Sequence, residues 1–146
     1  MTSRIVVEVS STVRRLPLPE KRVRSLVEAT LAAEGIADAM ISIAFVGRTA
    51  IARINRQYLE HSGPTDVITF GMGRETPKMP AIGDIYICPD IAARNARSHG
   101  VRLVEELSRL VVHGTLHVAG HEHPDDETRT SSEMWKRQER LLAHHD

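Results

Sequence analysis

Cysteine is all but missing from this chain. Cys88 is the only one in 146 residues, which excludes an intrachain disulfide and any paired-thiol redox motif. Net charge is missing as well. Nineteen Lys plus Arg balance nineteen Asp plus Glu, so the protein is not held to nucleic acid or membrane chiefly by bulk electrostatics. Long apolar runs are lacking: near the N-terminus the stretch free of Asp, Glu, Lys and Arg extends only from Ala39 to Gly47, far short of the roughly 20 residues a spanning helix needs. Met1 to Ser10 is broken by Arg4 and Glu8 and has neither the apolar core nor the cleavage site of a signal peptide. Repeats and low-complexity linkers are absent too. The expectation is a cytoplasmic protein that engages no membrane.

What is present is an ordinary globular composition, 41% hydrophobic and 26% charged, read as one domain over residues 1–146. A chain of this length buries roughly two-thirds of its unfolded surface. A core therefore forms without a structural metal, and any metal would serve chemistry. The basic residues between Arg14 and Arg24 are read as the solvated entrance to a helix.

Hydrophobic periodicity gives a coarse map. Ile5 to Val9 alternates as a strand, and Pro17 and Pro19 precede a helix from Glu20 to Glu34 with Val23, Leu26, Val27, Thr30 and Leu31 on its buried stripe. Met40 to Val46 reads as a central strand. Thr49 is expected to cap a helix through Tyr58 with Ile51, Ile54 and Leu59 facing inward. Val67 to Phe70 and Asp84 to Cys88 read as strands, and Pro89 opens a short helix ending near His99 and Gly100. A strong helical pattern runs from Arg102 to Ala119, with Leu103, Leu107, Leu110, Val111 and Val118 on one stripe. A last helix is expected after Thr130, which forms a capping box with Glu133, and carries Met134, Gln138, Leu141 and Leu142. The fold class expected is α+β, a small mixed β-sheet flanked by helices, one of them an H-x-x-x-H metal-binding helix.

The chemistry concentrates in one place. Of eight histidines, four fall between His113 and His123, where an even spread would leave fewer than one. Helical spacing brings His113 and His117 to one face, and Gly120 lets the chain turn so that His123 can return as a third ligand. The frame H-x-x-x-H-x-x-G-x-x-H is that of the metzincin proteases, except that their general-base Glu is here Gly114. Three neutral imidazoles leave a coordination position open, as in a catalytic zinc site where bound water becomes a nucleophile. His121 is expected to support a ligand or face substrate. Glu106 shares the face of His113 and can orient a ligand or take a proton, or simply serve as a helix N-terminal acid. Cys88 is a conceivable fourth ligand and more commonly a small buried hydrophobe.

With these residues in view, the sequence resembles the YbeY family of bacterial metal-dependent endoribonucleases, linked to maturation of the 16S rRNA 3′ end and to ribosome quality control. The family's H-G-x-L-H-x-x-G-Y-D-H is met by His113, Gly114, Leu116, His117, Gly120 and His123. Its P-T-D-V-[LI]-[ST]-F is met from Pro64 to Phe70, preceded by Asn55 and Tyr58. Its G-D-I is met by Gly83, Asp84 and Ile85, and its helix Glu by Glu106. The resemblance implies a Zn2+ or similar divalent ion on His113, His117 and His123, and single-stranded rRNA and the small ribosomal subunit with its assembly factors as partners. Leu59 departs from the pattern, standing where the family has an Arg facing substrate. His121 and Glu122 replace its Tyr and Asp, and Gly71 its Pro.

The function expected is single-strand-specific, metal-dependent endoribonuclease activity, with His113, His117, His123 and Glu106 as the catalytic set. Arg53, Arg56, Tyr58, Arg109 and His121 are expected to contact RNA in a local cationic and aromatic cleft. Two alternatives compete: a non-catalytic, metal-containing assembly factor, favoured by Leu59, and a metal-dependent hydrolase of another substrate, whose peptide version Gly114 disfavours.

Overall fold

The computed structural model describes residues 4–74, 76–122, 128 and 132–145. Along the chain come β1 (Arg4–Ser11), α1 (Glu20–Ala33), β2 (Asp38–Phe45), α2 (Arg48–Leu59), β3 (Val67–Gly71), β4 (Ala81–Ile87), α3 (Pro89–His99), α4 (Leu103–Val118) and α5 (Glu133–His145). The four strands form one sheet in the order β1-β2-β4-β3. β1, β2 and β4 are parallel, and β3 runs antiparallel beside β4. This is the mixed sheet flanked by helices that the sequence predicts. No helix among the described residues is long and apolar enough to cross a membrane.

Strand burial alternates with the pleat. Ala39, Ile41, Ile43 and Phe45 of β2 are buried, while Asp38 and Met40 face out, so one face of the sheet carries the main core. α1 supplies the crossover that parallel strands require. It presents Val23, Leu26, Val27, Thr30 and Leu31 inward, the stripe the periodicity defines. On the other face α2 seats Ile51 beside Ile68, Cys88 and Ile91 in a second cluster. Cys88 is therefore a packing residue.

α4 is the central helix. Eleven of its sixteen residues are buried, and it contacts α1, α3, α5, β3 and β4. Two glycines set its distance from the sheet. A Cβ on Gly114 would stand 2.8 Å from Ile85 Cγ2, and one on Gly83 would stand 2.6 Å from Val118 Cγ2 and 2.7 Å from the Phe70 carbonyl. α4 thus lies against β4 more closely than any other residue at either position would allow.

Several local expectations are revised. Gly47, not Thr49, occupies the cap of α2, with no side-chain cap. Leu59 is 42% exposed, because the helix ends there and the chain turns away through Glu60 at φ 57°. Leu103 is likewise exposed in the first turn of α4, where the helix has not yet reached the core. β4 begins three residues before Asp84, at Ala81, because β2 offers pairing partners from Ala39 onward. Thr130 lies outside the described residues. Ser132 Oγ accepts the Trp135 N–H at 3.2 Å, the contact an N-cap side chain makes.

Candidate functional site

His113 and His117 stand one turn apart on α4, with ring centroids 4.7 Å apart and planes at 84°. Each ring is oriented by an oxygen acceptor on its Nδ1. His113 Nδ1 donates to Gln138 Oε1 of α5 at 2.6 Å. His117 Nδ1 donates to the carbonyl of His121 at 3.0 Å. An acceptor fixes a proton on Nδ1, so in the neutral ring Nε2 carries the lone pair. That is the tautomer of an imidazole prepared to bind a cation, with the partner oxygen in the supporting role metal-binding histidines require.

Both orienting contacts follow from local structure. Gly120 takes φ +110° and ends α4 in a Schellman motif, with Gly120 N–H donating to the His117 carbonyl and His121 N–H to the Leu116 carbonyl, both at 3.0 Å. The same turn swings the His121 carbonyl onto His117. The His121 ring is anchored as well: Nε2 bonds Glu34, whose other oxygen accepts from Arg137 Nη1 at 2.6 Å. Gln138 is fully buried, and its Nε2 donates to Glu139 Oε2 at 3.0 Å, which leaves Oε1 as the atom facing His113.

Behind Gln138 lies an ion-pair network. Arg109 donates to Glu139 from Nε and Nη2, to Glu106 from Nη1 at 3.2 Å and to Glu105 from Nη2 at 3.2 Å. The hydrogen bond to Glu139 holds the Arg109 guanidinium above its ordinary pKa, outweighing burial. Burial pushes the Glu139 carboxyl up, but the hydrogen bonds from Arg109 and Gln138 prevail and hold it below its ordinary value.

The histidines border a groove of about 800 Å³ whose walls include Leu59, Thr65, Asp66, Arg74 and His121. Asn55, buried in α2, places one wall by donating from Nδ2 to the Gly63 carbonyl at 3.0 Å. Arg74 is the cation of this wall, braced within its own loop on the carbonyls of Met79 and Pro77. Beyond His113 lies a smaller cavity of about 310 Å³, bordered by Asp66, Asn95, Glu106, Arg109, Trp135 and Gln138.

Of the residues singled out from sequence, the structure brings His113, His117 and His121 to the groove and Glu106 and Arg109 to the adjoining cavity. Arg53, Arg56 and Tyr58 are exposed on α2 and do not line the groove; Tyr58 instead meets Phe70 edge-on. His123 lies outside the described residues, and among those described no third His, Cys, Asp or Glu completes a metal cluster. Sequence reasoning missed Arg74 and the orienting role of Gln138. The only sequence signal for Gln138 was a polar residue on an otherwise apolar stripe, and Arg74 gave none.

The family model for endoribonuclease YbeY matches residues 9–146. The endoribonuclease YbeY of Geobacter metallireducens is 34% identical over 142 residues, covering 94% of this chain and 93% of that protein. That of Kineococcus radiotolerans is 37% identical over 145 residues, covering 93% and 74%. The solution structure of a Thermotoga maritima protein aligns with TM-score 0.65 and 26% identity, covering 96% of this chain and 89% of that one. On these grounds the chain belongs to the YbeY endoribonuclease family.

Proposed function

We propose that this protein is a metal-dependent endoribonuclease acting on single-stranded rRNA in the cytoplasm, in 16S 3′-end maturation and ribosome quality control, with the small ribosomal subunit and its assembly factors as partners. The observation that carries this reading, together with the family, is the pair of Nδ1 hydrogen bonds on His113 and His117. Those bonds leave both Nε2 atoms in the form that ligates a divalent cation. With His123 they would hold one Zn2+ or a similar ion, which when bound acidifies water and offsets phosphate charge.

The chain's own residues supply the rest. Gln138 and the His121 carbonyl keep the imidazoles in the ligating tautomer. Arg74 on the groove wall contacts a backbone phosphate. Thr65 offers its hydroxyl to a ribose. Glu106, expected as a proton acceptor, accepts from Arg109 in the adjoining cavity, and in this reading meets the substrate there.

Leu59 on the groove wall favours a second reading, an assembly factor that keeps the metal without efficient cleavage. Peptide hydrolysis by the metzincin route is disfavoured, because position 114 faces Ile85 in the core and a glutamate there would be buried in the helix–sheet contact.

The deciding experiment is cleavage of single-stranded rRNA fragments by metal-free, metal-reconstituted and His117→Ala protein side by side. Cleavage that requires both the metal and His117 selects the enzyme. Metal binding without cleavage selects the assembly factor.

A further inference from the structure

The smaller cavity adjoins the groove, and Asp66 and His113 border both. At about 310 Å³ this cavity is at the low end of ligand-site volumes, roughly 300–1,000 Å³. It has room for one flat heterocycle, not for a nucleotide with its phosphate. Its charge also turns phosphate away. Arg109 is the only Lys or Arg among the described residues that border it, beside His99 and His113, and its guanidinium is surrounded by Glu105, Glu106 and Glu139. Asp66 adds a further carboxylate, accepting from Asn95 Nδ2 at 3.3 Å. Trp135 borders the same cavity. Acceptor oxygens beside an aromatic side chain suit an unstacked base, which is read along its hydrogen-bonding edge.

We infer that this cavity is a base-recognition subsite, taking the nucleobase next to the phosphodiester at His113 and His117 and selecting bases with an exocyclic amino group against uracil. The inference rests on the RNA reading above and adds which part of the substrate lies where: phosphates on the Arg74 side, one base turned past His113. Cytosine presents its 4-amino group as a donor to the Asp66 or Glu106 carboxylate. Uracil puts a carbonyl oxygen in the same place, so that two acceptors face each other and one carboxylate goes unmatched.

Oligocytidylate and oligouridylate of equal length differ only along that edge, and their equilibrium binding by fluorescence anisotropy is the test. Wild type is expected to bind oligocytidylate about fivefold more tightly or better, the factor that one hydrogen bond of about 1 kcal/mol carries. Glu106→Gln and Asp66→Asn each exchange a carboxylate oxygen for an amide N–H that can donate to the uracil carbonyl, and at least one of them should bring the ratio close to unity. Thermal melts confirm that each variant is folded, and the second stands in where the first is not. Equal affinities in wild type, or a preference unchanged in both variants, overturns the inference. Cleavage of mixed-sequence single-stranded RNA, run in parallel, separates the two readings. Cleavage without base preference overturns the subsite alone, whereas neither binding nor cleavage of any RNA overturns the proposed function with it.

Discussion

Gln138 Oε1 accepts the Nδ1 proton of His113 at 2.6 Å across 25 residues of sequence, joining α5 to the histidine helix in a fully packed setting. Loss of a partner that orients a metal-binding histidine typically costs ten- to a hundredfold in metal affinity. For the proposed metal site, Gln138→Leu is therefore expected to weaken divalent-ion binding by roughly that factor, measured by competition with a chromogenic chelator. Gln138→Glu keeps the acceptor toward His113 and should retain more metal affinity than the Leu variant, at a cost in stability because its carboxylate then faces that of Glu139. Equal affinities for wild type and Gln138→Leu would show that the contact does not orient a ligand. The Leu variant also strands the His113 N–H, at a cost in stability of about 1–3 kcal/mol.

Gly114→Ala is expected to destabilise the fold. Alanine gains up to about 1 kcal/mol in helix propensity, but its Cβ would sit 2.8–2.9 Å from two atoms of Ile85, a side chain with no exposed surface. Overpacking costs about 1–3 kcal/mol, so the net is a loss of up to about 2 kcal/mol. Ile85→Ala removes the opposing atoms. Urea denaturation of the double variant should reveal a favourable coupling between the two substitutions, and strict additivity would contradict the contact.

Arg74 and Leu59 share the groove and make opposite predictions. Arg74→Gln should weaken single-stranded RNA binding and flatten the log–log salt slope by about 0.7, the contribution of one phosphate contact. Leu59→Arg adds a cation on the same wall. A charge-assisted contact of about 1.5–3 kcal/mol would raise kcat/KM roughly ten- to a hundredfold, and the gain should vanish in a Leu59→Arg, His117→Ala double variant. An unchanged salt slope in Arg74→Gln would place the phosphate elsewhere.

Acid stability should report the Arg109–Glu139 pair. Glu139 is held below its ordinary value of 4.5, so the folded state binds its proton less readily than the unfolded state does. Its stabilising contribution is complete above pH 4.5 and is lost as pH falls below that value through the lower folded pKa. Partial exposure of Glu139 limits the effect to about 1 kcal/mol or less. Glu139→Gln should narrow the stability difference between neutral and acidic solution in denaturant titrations, and a pH dependence identical to wild type would contradict the assignment.

What the sequence makes legible is whatever is encoded within a few residues. The stripe of α1, the Gly100 and Gly120 helix ends and the span of α4 all follow from 3.6-residue periodicity and glycine punctuation, and they stand as expected. The start of β4 depends on what β2 offers it, and the exposure of Leu59 on where α2 stops, so neither could be read locally. The same holds within the site. The spacing of His113 and His117 is local, but the partner of His113 arrives from α5, and Arg74 joins the groove from the chain just after β3. By sequence alone, the absence of a glutamate at position 114 means missing chemistry. The structure gives it a packing cause in Ile85.

α4 packs against α1, α3, α5, β3 and β4, and this determines how its amides meet solvent. Amide protons in an element packed on all sides exchange with deuterium only when the whole molecule opens, whereas those at a helix end exchange through local fraying. The N–H groups of His113 and His117 therefore belong to the slowest-exchanging set, and those from Gly120 to Glu122 to a faster one. The histidines ride on the most deeply packed helix, while the carbonyl that orients His117 sits at that helix's end, so exchange of the Gly120 to Glu122 amides reports how firmly the capping turn holds it.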